Sequence, residues 1–185
     1  MEARNQALNL LAVGVACFIA LQLFTDFLVW LRASPPPPPP EVAREGEEYV
    51  VTCSWRFEGE DYRVVVRVPA RLYEQYRERV RVPPFDYASF VVADGLISDL
   101  SSTVLRPTAG WDYLRRANYL MRFAQSFKYA KDQETVGRPD YPRYPVETIV
   151  DGMGDCEDKV ILFCALAKAT GWDVVILLFP KEEHA

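Results

Sequence analysis

Histidine is almost missing: the 185-residue chain carries one, His184, so no group of imidazoles can build a metal centre. Cysteine is scarce as well. Cys17, Cys53, Cys156 and Cys164 show neither a disulfide framework nor the paired spacing of zinc ligands, although a Cys53–Cys164 bridge stays open on spacing alone. Positive charge is also short. The formal net charge is −5 and the arginines are interspersed with acids, as in Arg77-Glu78-Arg79, which excludes a nucleic-acid binder relying on phosphate neutralisation. Gly152-Met153-Gly154 lacks the third glycine of a dinucleotide fingerprint, and Asp151, Glu157 and Asp158 lack the spacing of a calcium loop. No metal or organic cofactor is expected.

One long apolar stretch is present. Asn5 to Thr25 is uncharged and rich in Leu, Ala, Val and Phe; after Asp26 the run resumes to Leu31. At about 1.5 Å per residue it reaches across a bilayer core of about 30 Å, and Trp30 suits an interfacial anchor. The run is longer than a signal-peptide core of about 7–15 residues, and no small-x-small cleavage site follows closely. Residues 5–31 are therefore expected to span a membrane once, with the bulk of the chain outside. Residues 32–48 follow as a proline-rich linker: the six prolines Pro35 to Pro40 favour a stiff polyproline II spacer, and a charged segment runs on to Glu48.

Residues 49–106 form the next expected segment. Val51, Cys53, Trp55 and Phe57 alternate, Glu58 to Asp61 supplies a turn, and Tyr62 to Val68 returns, which predicts a β-hairpin. A short helix over Ala70 to Val80 and strand plus loop over Phe85 to Leu105 complete it. Residues 107–185 begin with a helix expected from Trp111 to Lys131, its stripe running through Leu114, Ala117, Met121, Ala124 and Lys128, with Leu120, Phe123 and Phe127 beside it. Asp132 to Tyr144 reads as a polar, proline-punctuated loop across the face of any cleft. Tyr141 and Tyr144 either line a groove there or pin the loop.

The chemistry concentrates after Tyr144. Asp155 is a good N-cap for a helix over Cys156 to Thr170, on which Val160, Phe163, Cys164 and Ala167 recur at helical spacing, and Gly171 caps its end. Cys156 thus falls in the first turn, where free N–H groups and the helix dipole favour a thiolate. Asp155, Glu157 and Asp158 oppose that by like charge, and their better role is capping. Trp172 to Phe179 reads as a buried strand ended by Pro180, with His184 just beyond. A thiol at a helix start and an imidazole past the next strand make a nucleophile–base pair.

Gly154-Asp155-Cys156-Glu157-Asp158 opening a helix, then Gly171, a strand and His184, resembles the transglutaminase-like cysteine-hydrolase core. The approach segment from Tyr141 to Thr148 is similar to that of the archaeal-type, membrane-anchored branch of the superfamily. The resemblance covers roughly Trp111 onward. It implies an α+β, papain-like fold with helices packed on an antiparallel sheet, and a catalytic site of Cys156 and His184 with Gln125 as oxyanion donor. It also implies an Asp or Asn on a further strand. The sequence ends one residue after His184, so the expectation is either a fragment of a longer chain or a truncated and inactive one. The leading expectation is a membrane-anchored thiol hydrolase or acyltransferase acting on protein or peptide, with the lipid bilayer as its other partner. A non-catalytic, membrane-tethered protein-binding module is the alternative, and a decayed gene product the third reading.

Overall fold

The structure, a computed structural model, describes residues 37–178. The apolar run over 5–31, Pro35, Pro36 and the segment carrying His184 lie outside the described residues. The chain divides between Pro36 and Pro37 into two units, and the architecture below belongs to the second. It is α+β: an antiparallel three-stranded sheet with helices. Among the described residues no helix is long and apolar enough to cross a membrane.

The sheet is a meander of β1 (Glu41–Glu45), β2 (Glu48–Phe57) and β3 (Glu60–Pro69), in that order. It corrects two expectations. The linker over 32–48 already contains a strand, and the expected hairpin, present as β2–β3, is extended by that strand into a three-stranded sheet with β2 at its centre. Every residue of β1 is exposed, and Glu41, Arg44 and Glu45 place charge along an edge that is unpaired among the described residues, where charge discourages pairing with another chain. Both connections are two residues long. Gly46 (φ +61°) occupies the first central position of its turn, while Glu58 (φ +51°) and Gly59 (φ +88°) are both left-handed, the type I′ pattern that matches strand twist.

The predicted alternation holds: Val51, Cys53, Trp55 and Phe57 are buried, joined by Val64, Val66 and Val68 of β3. Helix α1 (Ala70–Arg77) follows at once and is shorter than the expected run to Val80. The region expected as strand plus loop is helical instead. A 3-10 turn spans Tyr87–Phe90, and α2 runs over Gly95–Leu105 with Ile97, Leu100 and Val104 buried. The decisive local signal is Asp94, whose carboxylate accepts from Ile97 N at 3.0 Å and opens the helix.

Helix α3 (Tyr113–Gln125) is also shorter than expected, capped by Asp112. Its buried face is Tyr119, Leu120, Phe123 and Ala124, whereas Leu114 and Met121 of the expected stripe are exposed. Aromatic contacts select that face: Trp55 meets Tyr119 and Phe123 edge-on at 5.6 and 5.0 Å, and Phe57 meets Tyr119 at 5.4 Å. Beyond burial, such pairs contribute about 0.5–1.5 kcal/mol each.

The remaining elements are β4 (Lys128–Tyr129), α4 (Asp132–Thr135), α5 (Pro145–Asp151), β5 (Met153–Gly154) and α6 (Cys156–Ala169). Helix α6 matches the expectation within a residue. Gly171 (φ +82°) closes it, with Trp172 N donating to Ala167 O and Gly171 N to Lys168 O, a Schellman end. Ser101 Oγ of α2 donates to Leu166 O at 2.8 Å and ties the two helices together. The buried strand expected over Trp172 to Phe179 is corrected. Residues 172–178 pair with no strand among the described residues, and only Trp172, Val174 and Ile176 pack against the core. Val175 and Leu177 face outward, 80% and 65% exposed. Alternation is present, but a buried strand needs cover on both faces, and here only one is covered.

Candidate thiol site and its buried charge network

Cys156 is the first residue of α6 and is half-buried. A reciprocal capping box fixes the helix start: Asp155 accepts from Asp158 N at 3.5 Å, and Asp158 accepts from Asp155 N at 3.3 Å. The thiol donates to Glu157 Oε2 at 3.1 Å. Behind it, the backbone is packed too closely for any side chain. A Cβ on Gly154 would lie 2.6 Å from Asp158 Cβ, so only glycine lets this loop pass.

A short parallel ladder brings the end of α3 alongside. Lys128 N donates to Gly152 O at 3.1 Å and Ala130 N to Gly154 O at 3.2 Å. Tyr129 therefore stands next to the thiol. Its phenol is pushed above the usual range by desolvation first and then by Cys156, Asp155 and Glu157. Gln125, three residues before β4, is exposed, and its Oε1 accepts from Arg122 of its own helix at 3.3 Å. His184 lies outside the described residues. Cys53 and Cys164 are free and buried, so no bridge joins them.

The loop expected to cross a cleft is anchored by two buried charges that the sequence reading did not single out. Arg143 is fully buried. Its guanidinium donates to Asp132 (2.5 Å), Asp158 (2.7 Å), Asp151 (3.1 Å) and Thr135 (2.6 Å), and its backbone N donates to Asp158 at 2.7 Å. Burial works against the Arg143 charge, but Asp158 and Asp132 outweigh it and push the guanidinium above its ordinary range. Glu147, also fully buried, accepts from Arg81, from Tyr141 Oη at 2.9 Å and from Tyr144 N at 2.9 Å. Tyr141 and Tyr144 thus pin the loop, one of the two roles left open for them, and Tyr141 also lines a concave surface. Tyr-Pro-Arg-Tyr-Pro was the available signal: an arginine enclosed by aromatics and prolines has little access to water.

The acids around Cys156 divide by partner. Burial raises both Asp155 and Asp158, but Arg143 and two backbone N–H groups pull Asp158 back. Asp155, lacking that cation, is raised well above the usual carboxylate range by burial and then by the Asp158 charge. Oxygens of Asp132, Asp155 and Glu157 approach within 4.8 Å of one another, a possible cation seat by distance. However, both oxygens of Asp132 already accept, from Arg143 and from Tyr141 N. Asp151 and Asp158, weighed as calcium ligands, are likewise partners of Arg143.

The described residues thus define an α+β chain with a half-buried thiol at a rigidly held helix start. No family model, curated protein or solved structure matches the chain.

Proposed function

We propose that the chain is a transglutaminase-like cysteine hydrolase, anchored in a membrane by residues 5–31 and acting on a protein or peptide outside it. The observation carrying this reading is the placement of Cys156: first residue of α6, half-exposed, behind a loop that only Gly154 fits. In the proposed reaction His184 removes the thiol proton, and the sulfur attacks an amide carbonyl of the peptide or of a glutamine side chain. The C–N bond breaks, the amine leaves with the proton from His184, and a thioester remains. Water then releases the acid and regenerates the thiol. Gln125 would turn from Arg122 to donate to the oxyanion. The test is the rate of iodoacetamide labelling of Cys156 in the full-length protein at neutral pH, read by peptide mass and blanked by Cys156→Ala. Labelling faster than free glutathione is the expected result; a rate no faster than glutathione sinks the proposal.

One observation favours a second reading, a non-catalytic binding module: the thiol's hydrogen bond goes to a carboxylate, Glu157. That reading expects Cys156→Ala to leave partner capture unchanged.

A further inference from the structure

A concave surface of about 500 Å³ lies between the end of α1 and the loop after α4. Four arginines line it: Arg77, Arg79, Arg81 and Arg138, with Glu78 as its sole acid. In a chain of net charge −5, this lining concentrates positive charge.

Arg81 is paired to Glu147. Arg77 approaches Asp151 at 3.6 Å and Glu147 at 4.0 Å, but Arg143 and Arg81 already use those carboxylates. Arg79 and Arg138 are exposed and have no carboxylate within salt-bridge distance among the described residues. Two guanidiniums of the lining, Arg79 and Arg138, thus have no carboxylate partner among the described residues.

Aromatic faces hold those guanidiniums in place. Arg79 lies over the rings of Tyr76 and Tyr144 at 4.2 and 4.8 Å, Arg81 over Tyr141 at 4.1 Å, and Arg77 and Arg138 over Tyr141 at 5.5 Å each. Arg81 spends its N–H groups on Pro142 O, Arg79 O and Glu147, whereas the Arg79 and Arg138 forks donate to no group among the described residues, and such a planar fork suits two oxygens of one tetrahedral anion. Tyr141 is itself fixed by its bond to buried Glu147, which gives the arginines around it a rigid wall.

We propose that this pocket binds a phosphate-bearing ligand, with Arg79 and Arg138 as its principal contacts and Arg77 and Arg81 as framing charges. The ligand is a phosphomonoester, either of a soluble metabolite or of a lipid headgroup. Nothing in this assignment depends on the thiol chemistry proposed for Cys156.

Isothermal titration of the full-length protein in neutral detergent tests it, using glycerol phosphate as the soluble probe and dihexanoylphosphatidic acid as the lipid probe. Saturable binding is expected, weakened about tenfold or more by Arg138→Gln and by Arg79→Gln, with Arg71→Gln as an off-site control. Arg138 has the lightest structural contact, so its variant remains readable if Arg79→Gln does not fold. Tighter binding of the lipid probe names a headgroup as the source, and equal or weaker binding names a soluble ligand; both support the pocket. Absence of saturable binding to either probe overturns the proposal. So does binding that Arg138→Gln leaves unchanged.

Discussion

Asp155 carries two loads at one position, the cap of α6 and a proton retained in a cluster of acids. Burial and its acidic neighbours raise its folded-state pKa well above the ordinary 3.8, so the folded chain binds the proton more tightly than the unfolded chain does. The resulting stabilisation is whole below the ordinary value and is lost as pH rises through the folded one. Asparagine can still accept from Asp158 N as an N-cap but cannot ionise. Asp155→Asn should therefore raise the melting temperature little at about pH 5 and progressively more towards about pH 9. Parallel melting curves for the two proteins across that range would count against the proton lying on Asp155.

At the scale of elements, what was readable from the sequence depended on how local the deciding contact is. The alternation from Val51 to Phe57 and the stretch from Asp155 to Gly171 were legible because pleat, cap and glycine end are written within a few residues. Strand β1 was hidden because it is all exposed and its pairing is decided by Gly46 and by β2. Helix α2 was obscured by its serines and β-branched residues. The buried face of α3 was legible at Leu120, Phe123 and Ala124, but not at Tyr119, which Trp55 and Phe57, far away in sequence, bring inward while Leu114 stays exposed. Of the candidate site, Cys156 at a helix start was legible, whereas Arg143, Glu147 and Tyr129 were not, since their partners are non-local. Asp94 offers a check on this scale. It caps α2 and also accepts from Tyr76 Oη at 2.7 Å, so Asp94→Ala should cost about 0.5–2 kcal/mol for the cap alone in urea unfolding. An unchanged midpoint would mean that α2 is held by its apolar face alone.

At the scale of the whole molecule, Arg143 joins α4, α5 and the start of α6 through one side chain. Replacing it by Leu leaves Asp132 and Asp158 buried without their cation, which typically costs about 3–5 kcal/mol. Arg143→Lys should recover only part of this, because a point charge cannot serve four acceptors arranged around a planar fork. Equilibrium denaturation of the three proteins gives the comparison; a loss in Arg143→Leu below about 1 kcal/mol would reduce the network to the worth of surface pairs.

The same interior offers a clock. Cys53 lies in the sheet and Cys164 on α6, both buried, and burial pushes the Cys53 thiol up to about 12 and raises Cys164 as well. Neither reacts with a thiol reagent until its surroundings open, whereas Cys156 is reachable in the native fold. Labelling followed over time therefore separates chemistry at the helix start from breathing of the interior. If Cys53 and Cys164 are modified together, sheet and helices open as one body; if one precedes the other, the seam between them is where the molecule first comes apart.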